Sequence, residues 1–287
     1  EAEIFYAYAL SALGAPTDQT FAYQLKGAAI LEKLLVELPN HPGVMHYLLH
    51  AYDNTRYASR GLAAARRLAK VAPSSPHALQ FPAHIFVRMG LWQESIDTNR
   101  AGAAVDDLFF KPHAMDFLVH SYLQTGQDVA AKRVVDEAAT IKIIPHILDA
   151  YAMAALPARY AVERRRWGEA AALTLPQSQF AWGLFPHAEA ALVFARVLGA
   201  ARNGNIDAAR KDLDRLQELR ANLIKANSEG TWQEYWVSQI QNHRQMVTAW
   251  IAYTQGRRDE ALQVLRAAAD REDSTEKDPV MPGNVIS

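Results

Sequence analysis

The chain contains no cysteine. That absence excludes disulfide bridges, zinc–thiolate centres and a thiol nucleophile, and leaves the compartment open. It also lacks a charge excess, since 30 basic residues face 31 acidic ones and the net charge is −1. There is thus no electrostatic basis for nucleic acid or an anionic membrane surface as partner. No run of about 18 or more apolar residues occurs, so no membrane-spanning helix is expected. β-branched runs are short, and no stretch shows the strict alternation of a half-buried strand. The chain starts at Glu1 with neither Met nor a charged-then-apolar leader. It reads as a trimmed or mature form, compatible with a removed export signal.

Half of the 287 residues are hydrophobic, enough to bury a substantial core. Apolar residues recur at helical spacing, as in Ile30-Leu31-x-x-Leu34-Leu35 and Phe194-x-x-Val197-Leu198. A helix, a glycine turn and a second helix recur around Gly90, Gly126, Gly204 and Gly256. Arg166-Trp167-Gly168 is a variant with its glycine displaced. Glycine at these positions supplies the left-handed residue that ends the first helix. Trp92 and Ile206 then begin the packing of the second helix. Ser95, Ala131, Ala209 and Ala261 let the paired helices approach closely.

These residues resemble the tetratricopeptide (TPR) repeat, with Phe86 and Tyr122 where that repeat places a packing aromatic. The resemblance covers nearly the whole chain. It implies an all-α, TPR-like α-solenoid of antiparallel helix pairs, with one repeat domain over 1–270 and an extended tail over 271–287. It is informative about fold and poor about function, because such arrays host many functions. A narrower likeness is carried by His41-Pro42-Gly43-Val44-Met45-His46-Tyr47-Leu48-Leu49-His50-Ala51-Tyr52-Asp53, by Pro82-Ala83-His84-Ile85-Phe86 and by the Pro279–Gly283 segment. These look similar to a bacterial TPR subgroup whose members are often exported, which implies a periplasmic or exported location. Gln80 departs from that subgroup, where the position is often His.

Seven of the ten histidines lie between His41 and His120. His46-x-x-x-His50-x-x-Asp53 is followed by His77-x-x-Gln80-x-x-x-His84 and by His113-x-x-Asp116-x-x-x-His120. Steps of three and four return to one helix face, so each segment is expected to present a polar stripe. By the TPR resemblance, these stripes face the concave groove, while Tyr52, Phe86 and Tyr122 point into helix packing. The i, i+4 pair His46 and His50 is the best chelating pair. His84 is the expected third ligand, with His120 or the Asp116 carboxylate completing the set. Asp53 is expected to orient the His50 imidazole. His77, Gln80 and His113 line the groove, and Asp53 and Asp116 are the candidate proton carriers. His41, His146 and His187 read as helix-opening or turn residues, and His243 as a satisfied polar residue.

Imidazole and carboxylate without thiolate suit a transition metal such as zinc, copper or iron. The leading expectation is a metal-binding protein whose groove takes a small molecule, with metal-dependent catalysis left open. The alternative is a non-enzymatic adaptor whose groove holds a peptide or partner protein.

Overall fold

A computed structural model describes residues 1–14, 18–105, 110–142, 144–226 and 231–274. The described residues are helical throughout their regular structure, with no strand among them. The chain packs as two compact units, Glu1–Ala131 and Lys132–Thr275.

In the first unit, α1 (Ala2–Ala12) packs on α2 (Ala22–Glu37), and both touch α3 (Pro42–Tyr52). α3 packs on α4 (Ala58–Val71). Two short helices follow, α5 (Pro76–Gln80) and α6 (Pro82–Arg88), and both pack on α7 (Trp92–Ala104), which also packs on α8 (Lys111–Gln124). The core is built from Ile4, Leu31, Val44, Met45, Leu49, Tyr52, Leu68 and Ile85, all at most 2 % exposed. α9 (Asp128–Ala138) carries the division between the units.

The helix expected to present His77, Gln80 and His84 on one face is interrupted, and Pro82 is the reason. Proline lacks the N–H that would bond to the carbonyl four residues back. Phe81 nonetheless stays in the right-handed helical region at φ −58° and ψ −32°. The chain therefore turns without leaving helical geometry, and Ser75 caps the N-terminus of α5 by accepting from Ala78 N–H at 3.3 Å.

In the second unit, α12 (Pro186–Arg202) is the central element. It touches α10 (Ile147–Glu163), α11 (Trp167–Ala171), α13 (Ile206–Lys225) and α14 (Thr231–Thr254), and α14 packs on α15 (Arg258–Asp273). Since α15 runs to Asp273, any extended tail begins later than residue 271. From residue 275 onward the expected tail lies outside the described residues. Asn205 caps α13 by accepting from Ala208 N–H at 3.1 Å.

The turn glycines behave as expected. Gly90, Gly126, Gly204 and Gly256 have φ between 68° and 86°, the left-handed conformation glycine adopts without steric cost. Where the glycine is displaced to 168, Arg165 takes the left-handed position at φ 52°. Trp92 and Ile206 open α7 and α13, and Tyr52, Phe86 and Tyr122 are buried.

Gly199 serves close packing instead. A Cβ there would lie 2.5 Å from the Ala171 nitrogen and 2.6 Å from the Trp167 oxygen, both backbone atoms of α11. Gly199→Ala is therefore expected to cost about 1–3 kcal/mol, the usual range for overpacking, read from urea unfolding midpoints. His187 and His243 are buried in this unit, and burial lowers both imidazoles to about 4. In the unfolded chain they protonate near 6.5, so between pH 6.5 and 4 the unfolded state binds more protons and stability rises with pH. Unfolding free energy is thus expected to fall from pH 7 to pH 5, and His243→Phe should flatten that slope.

Candidate metal centre

His46 and His50 sit one turn apart on α3, with His41 as its N-cap. The His41 ring accepts from Val44 N–H at 3.3 Å, and Pro42 occupies the first turn. His77 enters from α5, next to the proline that opens that helix. His46 Nε2 lies 2.8 Å from His77 Nε2 and 3.1 Å from His50 Nε2. One nitrogen from each residue falls within 4.8 Å of the others, and all three side chains are half-buried. A tetrahedral ion with nitrogen ligands at about 2.0–2.1 Å spaces those nitrogens roughly 3.4 Å apart. The two contacts at His46 are therefore a few tenths of an ångström from ligand spacing, and the triad can hold a metal ion.

Phe81 explains why the three rings converge. Its ring centroid lies 4.3 Å from that of His50, 4.8 Å from that of His46 and 5.0 Å from that of His77. It also lies 4.5 Å from His84, on which it stacks. Phe110 closes against His77 at 4.7 Å. This apolar lining sets the protonation state. Loss of hydration, reinforced by neighbouring imidazoles, lowers His46 to about 2 and His50 to about 3. Burial and His84 lower His77 to about 4. All three rings are neutral at pH 7, the form in which imidazole ligates a metal.

His84, expected as the third ligand, goes elsewhere. Its Nδ1 lies 2.8 Å from Asp53 Oδ2, and its Nε2 faces His113 Nε2 at 3.3 Å. The break at Pro82 separates it from His77, and the Asp53 carboxylate holds it. Asp53 therefore orients His84 rather than His50. It also accepts from Arg88 Nε at 3.0 Å, one turn further along α6. Burial alone would raise the Asp53 carboxyl, but Arg88 and His84 outweigh it and hold the group below its ordinary value. Gln80, His113 and Asp116 are buried in the protein, so they do not form the open groove wall expected of them. Gln80 packs so tightly against Gly102 that a Cβ there would lie 2.9 Å from the Gln80 Cβ. His120 lies edge-on to Trp92 at 5.6 Å, and neither it nor Asp116 joins the triad. Among the remaining histidines, His146 caps α10 through Leu148 N–H, and His187 follows the proline that opens α12. Glu1 meets His41 at 3.3 Å on the surface.

No protein-family model matches the chain. Nor does any functionally characterised protein match it in sequence. The assignment of chemistry therefore stands on the residues. His77 was legible only as a groove residue, because the Ser75-Pro76 pair marks a helix start. The missed signal is that a helix start can aim a side chain back at the preceding pair.

The Asp53 network makes a separate prediction. Its three side chains are 1–5 % exposed, and removing one partner of a buried ion pair strands the other charge. Asp53→Asn is expected to lower stability by about 3–5 kcal/mol. Glu94→Gln, which breaks the exposed Arg66–Glu94 pair, should cost about 1 kcal/mol or less in the same unfolding assay.

Proposed function

We propose that this protein binds a transition metal ion through His46, His50 and His77, in a TPR-like helical repeat scaffold. The observation that carries the reading is the convergence of three neutral imidazole nitrogens, spaced 2.8 and 3.1 Å about His46. An all-nitrogen set without thiolate suits zinc, copper(II) or iron(II). Three protein ligands leave a coordination position open, as in sites where an ion meets a small molecule. When bound, such an ion supplies Lewis acidity to a ligand oxygen or to water. The protein's residues hold the three rings neutral and fix their separation through Phe81. The recurrent left-handed turn residues and the packing of consecutive helices support the repeat reading, and the HPGxxHYxxHxYD likeness supports an exported bacterial protein.

Elemental analysis of protein purified without a histidine tag tests the site. Wild type and His84→Ala are expected to carry close to one equivalent of metal. His46→Ala/His77→Ala should lose it while keeping its helical circular dichroism. Absence of metal from every form, after reconstitution with zinc, copper and iron, would overturn the reading and favour a peptide-binding scaffold. Loss in His84→Ala alone would restore His84 as a ligand.

A further inference from the structure

The triad is bordered by an aromatic surface that metal ligation does not use. Tyr8 of α1 stacks on Tyr47 of α3, with ring centroids 4.5 Å apart and planes 24° from parallel. Phe5 lies tilted against Tyr47 at 6.0 Å. The surface touches the triad directly, since Tyr47 is 5.1 Å from His46 and Tyr8 is 5.7 Å from His50. Phe5 and Tyr8 are not core, whereas Tyr47 is partly buried and packs against the core. Phe5 is 56 % exposed and Tyr8 39 % exposed, next to half-buried imidazoles. A row of contacting rings leading from solvent to the three imidazole nitrogens has the form of a ligand subsite. Aromatic faces prefer other aromatic rings in offset or tilted contact, worth about 0.5–1.5 kcal/mol beyond area burial.

The charge balance selects the rest of the ligand. Three neutral imidazoles leave a divalent ion's charge uncompensated, and no carboxylate joins the group among the described residues. Asp53, close enough to act electrostatically on His50, is already committed to His84 and Arg88. An anionic oxygen is therefore the complementary donor. A cationic ligand, which the ring faces would otherwise attract, is repelled by the ion itself. We propose that Phe5, Tyr8 and Tyr47 bind the ring of a small aromatic carboxylate whose oxygen coordinates the ion held by His46, His50 and His77. This inference rests on the metal reading above.

Cobalt(II)-loaded protein tests it, because the visible bands of the ion report a change in its ligands. Benzoate and cyclohexanecarboxylate, matched in charge and similar in size, are titrated against wild type, Tyr8→Ala and Tyr8→Leu. In wild type both acids should perturb the cobalt bands, with benzoate binding about 2- to 10-fold more tightly, as expected for one aromatic stack. Both variants should still take up cobalt and lose the preference for benzoate. Tyr8→Leu keeps apolar bulk at the position, so the test survives if Tyr8→Ala perturbs α1. If cobalt binds but the two acids bind equally, leave the bands unmoved, or keep their ratio in both variants, the subsite is overturned and the metal reading stands. If folded wild type takes up neither cobalt nor, on reconstitution, zinc, copper or iron, both fall.

Discussion

The Asp53 carboxylate is the point on which the histidine arrangement turns. It is buried at the C-terminal end of α3 and receives His84 and Arg88 from one face of α6. A carboxylate this deep is tolerable only when paired and hydrogen-bonded on both oxygens. Meeting that requirement docks α6 on α3 in a single register. Phe81, at the junction of α5 and α6, is then carried in among His46, His50 and His77, and α5 is aimed so that His77 reaches back to His46. The network thus shapes the triad without contributing a ligand to it.

Burial treats the two halves of this region in opposite ways. Asp53 stays charged because a guanidinium and an imidazole compensate it. The triad imidazoles stay neutral because burial and neighbouring imidazoles disfavour a positive charge and outweigh the pull of Asp53 on His50. Phe81 touches both halves, contacting each triad ring and stacking on His84.

Much of the fold was legible because its determinants are local. The left-handed glycines and the Ser75-Pro76, Trp92 and Ile206 helix starts each follow from a residue's own backbone or size, and the packing row Tyr52, Phe86 and Tyr122 follows from the repeat resemblance. The chelating pair His46 and His50 was legible for the same reason, being four residues apart on one helix. What failed was the step from repeat register to contact. Register placed His84 beside His46 and His50, but Pro82 breaks the helix between His77 and His84 and sends them to different partners. The proline was visible in the sequence; its consequence depended on the Asp53 pairing, which joins residues 31 and 35 positions apart. The burial of Gln80 and His113 was likewise non-local, since Gln80 packs on Gly102 of α7 and His113 of α8 faces His84 of α6.

The state of the triad without an ion bears on its selectivity. His46 Nε2 meets two other ring nitrogens at once, and because a neutral imidazole nitrogen carries either one proton or one lone pair, only one of the two contacts is a full hydrogen bond at a time. An incoming ion must replace these two N···N contacts and spread the nitrogens from 2.8 and 3.1 Å towards roughly 3.4 Å. The competition near neutral pH is therefore with hydrogen bonds and packing, not with protons bound to the rings. Spreading is resisted by Phe81, held in place by the Asp53 docking of α6, and by the ring of Phe110 behind His77. A small ion with short nitrogen bonds demands the least displacement, whereas a large oxygen-seeking cation such as calcium demands more and is offered no oxygen ligand by the triad. Selectivity in this arrangement comes from the stiffness of the aromatic packing as much as from the identity of the donors.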